Sequence, residues 1–147
     1  MPDLNDLYQE TILDHSKRPR NKIVLQRPTH RAEGYNPLCG DRVSIELKME
    51  DGRVAAVGFQ GVGCAISTAS ASLMTDAIKG KTVEEAEKTF DGFHRLLTEE
   101  RHGAADLGKL AVFSGVREYP MRVKCATLPW HTLRAALRGE QQSVSTE

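Results

Sequence analysis

Val43-Ser44-Ile45-Glu46-Leu47-Lys48-Met49-Glu50-Asp51-Gly52-Arg53-Val54 decides the fold. Val43, Ile45, Leu47 and Met49 alternate with polar residues, the period-two pattern of a half-buried strand. Asp51-Gly52 is a strong hairpin signal, because both central positions of a type I′ turn need positive φ. Val54 to Gln60 is the expected return strand, and the segment around Arg27 to Tyr35 is placed to supply a third.

The flanks are helical. Leu4, Leu7, Tyr8, Thr11, Ile12 and His15 follow helical spacing and predict an N-terminal amphipathic helix ending before Pro19. After the hairpin, Gly61-Val62-Gly63-Cys64 is expected to be a flexible turn. A helix should follow from about Ile66 to Lys79, with Gly80 as its terminator. Thr82 and Glu85 form a capping box for the next helix, whose apolar stripe is Val83, Ala86, Phe90, Phe93 and Leu97. A short helix is expected around Ala105 to Phe113. The last helix should end near Leu137, with Trp130, Leu133 and Leu137 in its core. Pro129 predicts that it begins near Cys125 or bends there, because the ring meets the carbonyl four residues back. Strands first and helices later imply an α+β domain, a small antiparallel sheet packed on one face by helices.

The chain has 147 residues, which suits a single domain over 1–147, with residues 139–147 as a frayed tail. Lys plus Arg total 20 and Asp plus Glu total 20. Zero net charge argues against broad nucleic-acid or anionic-membrane binding. No apolar run approaches the roughly 20 residues that span a bilayer, and the polar, acidic start is no secretory signal. The expected setting is the cytoplasm. Three cysteines, an odd count, do not make a closed disulfide framework.

The chemistry therefore lies with Cys39, Cys64 and Cys125. No CxxC pair exists, so spacing alone is a weak metal signal, but each cysteine sits at an element end. Cys39 is in Asn36-Pro37-Leu38-Cys39-Gly40-Asp41, just before a strand. Cys64 follows two nearby glycines and precedes a helix, whose N-terminus favours a thiolate. Cys125 follows Arg122 and Lys124. If the three thiols converge, a fourth ligand completes a tetrahedral zinc site, and Asp41 is the candidate. The resulting excess of negative charge calls for cations, and Arg42, Arg122 and Lys124 are near in sequence. Asp41 is otherwise a turn residue capping its loop. A Cys125–His131 thiol enzyme is a minor alternative, since residues six apart face different sides of a straight helix. His15, His30, His94 and His102 are expected to be surface or hydrogen-bonded structural residues. Six basic residues and no acidic one lie between His15 and Arg31. Such a run is either a solvated face or a docking patch for an acidic surface.

Several motifs in order carry a resemblance. Ile12-Leu13-Asp14-His15 with Arg18-Pro19-Arg20-Asn21, the Asn36 to Arg42 stretch, Gly63-Cys64-Ala65-Ile66-Ser67, Ser70 to Asp76, and Arg122-Val123-Lys124-Cys125-Ala126 resemble the SufU/IscU/NifU-like iron–sulfur assembly family. Scaffold-type IscU members usually carry His before the third cysteine, where this chain has Lys124. They also carry a Leu-Pro-Pro-Val-Lys chaperone-recognition stretch, where this chain has Arg117 to Arg122. The stretch between Cys64 and Cys125 is longer than in that branch.

These features resemble the SufU branch, zinc-dependent sulfur-transfer partners of the cysteine desulfurase SufS. The resemblance implies zinc on Cys39, Asp41, Cys64 and Cys125, and a downstream scaffold as sulfur recipient. Cys39 is the expected sulfur acceptor, because Gly40 gives its loop freedom, and Arg122 is a candidate support for its thiolate. The resemblance further implies that the basic stretch after His15 faces the desulfurase. The alternative is an iron–sulfur scaffold, with the same ligands holding iron or a two-iron two-sulfur cluster. A purely structural zinc domain is a third reading.

Overall fold

The computed structural model describes residues 4–37, 40–98, 110, 113, 116, 119–139 and 144–145. The elements run α1 (Leu4–Lys17), β1 (His30–Asn36), β2 (Asp41–Glu50), β3 (Arg53–Val62), α2 (Ala65–Ile78), α3 (Val83–Thr98), α4 (Pro120–Leu137) and β4 (Val144–Ser145). The sheet order is β3-β2-β1-β4. The first three strands are antiparallel, as the hairpin requires. Asp51 and Gly52 both take positive φ, 53° and 75°, the geometry of the type I′ turn.

One face of this sheet is the core. Ala32 on β1, Val43, Ile45 and Leu47 on β2, and Val54, Val57 and Phe59 on β3 are all buried. Helix α4 lies across β1 and β2, α2 packs on α4 and touches β3, and α1 packs on α2. Gly34 permits the α4 contact, because a Cβ there would run into Thr132 and Leu128. Helix α3 buries Ala86, Phe90, Phe93, Leu96 and Leu97. Its Phe93 ring stacks on Trp130 of α4 at 4.7 Å. The capping box forms: Thr82 Oγ1 accepts the Glu85 N–H at 3.1 Å. The Glu85 carboxylate in turn accepts the Thr82 N–H at 3.4 Å.

Three expectations are corrected. Of the two alternatives expected for the last helix, a start near Cys125 is overturned: α4 begins at Pro120 and runs through Pro129. Pro120 sits in its first turn, where a missing N–H costs nothing. An interior proline costs about 3 kcal/mol. Leu128, Trp130 and Leu133 are fully buried beside it, and each such side chain contributes about 1.5–3 kcal/mol. Burial therefore outweighs the proline. The supposed turn at Gly61-Val62 is instead the end of β3, with Gly61 opposite Val43 and Val62 opposite Arg42. Finally, Val144–Ser145 of the tail expected to fray pairs in parallel with Gly34 and Tyr35. The expected helix around Ala105 to Phe113 lies outside the described residues, apart from Leu110 and Phe113, which are buried.

Candidate metal centre

Two turns of chain bring the ligands together. Asp41 opens β2 opposite Asn36 at the end of β1, and its side chain is 3% exposed. Gly40 takes φ +78° and donates its N–H to the Asn36 carbonyl at 2.8 Å, closing the turn that delivers Asp41. Cys64 is the N-cap of α2, and its sulfur accepts the Ser67 N–H at 3.4 Å. Cys125 comes from the second turn of α4 and is buried.

The ligand atoms of Asp41, Cys64 and Cys125 all lie within 4.8 Å of one another. The Asp41 carboxylate holds Cys64 from two sides. One oxygen accepts the Cys64 backbone N–H at 3.0 Å, and the other lies 3.5 Å from Sγ. Tetrahedral zinc, with Zn–S about 2.3 Å and Zn–O about 2.1 Å, places sulfur and oxygen ligands about 3.6 Å apart. The observed spacing and the two-sulfur, one-oxygen donor set fit zinc, and thiolates equally suit iron. Cys39 lies outside the described residues; in the chain it stands two positions before Asp41.

The electrostatics depart from expectation at Cys64. Burial pushes its thiol up, the Ser67 N–H and the Cys125 thiol pull it down, and the Asp41 charge adds to the upward push. The helix N-terminus acts in the expected direction but is outweighed. A bound cation is what would favour the Cys64 thiolate.

Two of the three expected cations, Arg122 and Arg42, are engaged with rings. The Arg122 guanidinium lies 5.0 Å from the Tyr119 ring centre, and Arg42 lies 4.9 Å from that of Tyr35. His131 packs edge-on against Phe90 and His94, at 5.3 Å and 6.0 Å, whereas Cys125 faces Asp41 and Cys64. Among the described residues, His131 and Cys125 thus meet different neighbours. His15 is a buried structural residue, its Nδ1 2.6 Å from the Ser72 hydroxyl. Ser72 also accepts the Arg20 N–H at 2.8 Å, so α1 and the following loop share one anchor on α2. His94 stacks on Phe90, His30 meets Thr29, and His102 lies outside the described residues. Within the basic stretch, Arg20 pairs with Asp14 at 2.7 Å and Arg31 with Glu33 at 3.0 Å.

Sequence reasoning missed Gly63. A Cβ there would sit 3.2 Å from the Ser67 hydroxyl and 3.3 Å from the Asp41 carboxyl. Its glycine answers a close approach across the site, not a need for flexibility.

A candidate thiol–carboxylate metal centre lies at the junction of a small antiparallel sheet and two helix ends. The profile of the NifU-like N-terminal domain matches residues 7–126. The chain is 41% identical to the zinc-dependent sulfurtransferase SufU of Bacillus subtilis, over 95% of each protein. It is 39% identical to the iron–sulfur cluster assembly scaffold protein IscU of Streptococcus pyogenes, over 92% of this chain and 85% of that one. A crystal structure described as an iron–sulfur cluster assembly scaffold protein for the SUF system, SufU, from Fervidobacterium islandicum superposes with a TM-score of 0.84 at 36% identity, covering 92% of this chain and 99% of that one. This chain belongs to the NifU-like N-terminal domain family, the iron–sulfur cluster assembly family that includes SufU and IscU. Among the described residues, no helix is long and apolar enough to cross a membrane.

Proposed function

We propose that this chain is a zinc-dependent sulfurtransferase, taking sulfur from a SufS-type cysteine desulfurase in the cytoplasm and passing it to an iron–sulfur scaffold. The observation that carries the reading is the convergence of Asp41, Cys64 and Cys125. Lys124 in place of the histidine usual in scaffold-type members favours the sulfur-transfer branch over the scaffold.

Zinc, when bound, keeps its cysteine ligands as thiolates near neutral pH. Asp41, Cys64 and Cys125 are the holding residues, with Asp41 also fixing the Cys64 backbone. Cys39 is the fourth ligand and the attacking thiolate. It attacks the outer sulfur of the desulfurase persulfide. The desulfurase S–S bond breaks, its cysteine leaves as a thiolate, and Cys39 becomes the persulfide. One sulfane sulfur moves and no external oxidant or reductant is consumed. Arg122, one helical turn before Cys125, is the candidate support for the attacking thiolate, a role that requires its guanidinium to leave Tyr119.

The second reading, an iron–sulfur scaffold on the same ligands, is favoured by relatives named IscU in Streptococcus pyogenes and Thermotoga maritima, each 39% identical. Metal content and the visible spectrum of anaerobically purified protein separate the two. Zinc without chromophore supports sulfur transfer, and stoichiometric iron with a brown colour supports the scaffold.

A further inference from the structure

A hydrogen-bonded chain couples α2 to α4 directly behind the metal ligands. Ser70, fully buried on α2, donates its hydroxyl to the Ala126 carbonyl at 2.5 Å. The Trp130 indole N–H, also fully buried, donates to the Ser70 oxygen at 3.1 Å. Ser70 lies six residues after the N-cap Cys64, about 9 Å along the helix. Ala126 directly follows Cys125. Each helix thus contributes one sulfur to the centre, and in this hydrogen-bonded chain α2 supplies the middle, Ser70, while α4 supplies both ends, Ala126 and Trp130.

The bonds act one residue beyond the place where Pro129 removes a helical donor from α4. Pro129 has no N–H to give the Cys125 carbonyl, so the ordinary helical ladder is interrupted at the ligand. Thr127 reaches back to the Val123 carbonyl at 2.9 Å. Ser70 grips the next carbonyl from outside the helix. The Trp130 ring is itself seated on Phe93, so the indole cannot swing away without breaking the α3–α4 packing.

We infer that Ser70 and Trp130 are positioning residues that set the separation of Cys64 and Cys125, and so tune metal affinity without touching the metal. The inference rests on Asp41, Cys64 and Cys125 being metal ligands, and it is indifferent to whether the centre transfers sulfur. Hydrogen bonds made directly to ligating groups orient them, and losing one typically lowers metal affinity about 10–100-fold. Ser70 acts one residue further back, through the Ala126 carbonyl, so its loss should have a smaller effect.

The test uses the full chain, reduced and metal-free, in zinc competition against a chromophoric chelator and in cobalt(II) titration followed by its visible d–d bands. Ser70→Ala should weaken zinc binding measurably, by less than the roughly 10–100-fold of a bond made directly to a ligand, and alter the cobalt bands. Ser70→Thr keeps the hydroxyl and should bind zinc more tightly than Ser70→Ala, although its added methyl crowds a fully buried position. Trp130→Phe keeps the ring on Phe93 and should shift affinity the same way as Ser70→Ala. Leu133→Ala, destabilising through the core alone, is the control and should leave the cobalt bands unchanged. If Ser70→Ala does not fold, Trp130→Phe carries the test. Wild-type affinity and bands in Ser70→Ala or in a folded Trp130→Phe would overturn the inference. So would an equal loss in Leu133→Ala. Failure of the unaltered chain to bind zinc or cobalt would instead overturn the metal centre itself.

Discussion

The Asp41 carboxylate grips Cys64 at both backbone and side chain, through the N–H at 3.0 Å and the sulfur at 3.5 Å. Asp41 therefore anchors the start of α2 and, on the proposed function, is also a metal ligand, two separable roles. Asp41→Asn keeps an acceptor for the Cys64 N–H but is a poor ligand. Asp41→Ala loses both. Zinc affinity should fall in both variants, measured by chelator competition. Urea unfolding of the metal-free chain should show a loss of about 1 kcal/mol only in Asp41→Ala, where a hydrogen bond disappears. Equal stability of the two variants would remove the anchoring role.

Gly34 tests the close approach of sheet and α4. A methyl group there collides with the Thr132 hydroxyl and crowds Leu128. Gly34→Ala should cost about 1–3 kcal/mol, the usual range for overpacking. The double variant Gly34→Ala with Thr132→Ala should recover part of the loss, because it removes the atom that is struck. A urea melt of the two single variants and the double reads this coupling directly.

His131 predicts a pH dependence of stability. Burial lowers its pKa, and His94 and Arg134 beside it act in the same direction. The unfolded chain therefore binds the proton more readily than the folded one. Stability from this group is fully present above the unfolded value of about 6.5. It is lost as pH falls below that value toward the lower folded pKa. The urea midpoint should drop between pH 7.5 and pH 5.5, and His131→Gln should flatten that drop. An unchanged pH profile in the variant would assign the loss to other groups.

The basic stretch after α1 divides in two. Arg20 is bound to Asp14 and holds its carboxyl below the usual range, so reversing Arg20 disturbs the fold as well as the surface. Arg18, with a side chain 86% exposed and only a 3.8 Å approach to Asp14, is the cleaner probe. Arg18→Glu should weaken the desulfurase complex, and the difference from wild type should shrink at high salt. An affinity indistinguishable from wild type at low salt would make the stretch an ordinary solvated face.

What was legible in the sequence was what local chemistry dictates. Asp51-Gly52 declares its turn through backbone conformation, and Thr82 with Glu85 declares a helix start through reciprocal hydrogen bonds. The alternating burial of Val43, Ile45 and Leu47 follows from strand periodicity. Pro129 misled because its cost is local while its compensation, the burial of Leu128, Trp130 and Leu133, is tertiary. Gly61 and Gly63 misled for a related reason. A Cβ at Gly61 would strike the Arg42 carbonyl, and one at Gly63 would crowd Asp41. Neither neighbour is visible along the chain. At the metal centre, Asp41, Cys64 and Cys125 were legible as candidates, but their convergence depends on the turn that closes β1 onto β2 and on α4 starting at Pro120.

The most direct test of sulfur transfer is anaerobic desulfurase turnover with L-cysteine, with and without the zinc-loaded chain, followed by intact-mass spectrometry of the chain. Turnover should rise, and the chain should gain the mass of one sulfur atom, located at Cys39 and absent in Cys39→Ala. Unchanged turnover with no added sulfur, or full stimulation and sulfur loading in Cys39→Ala, would contradict the account.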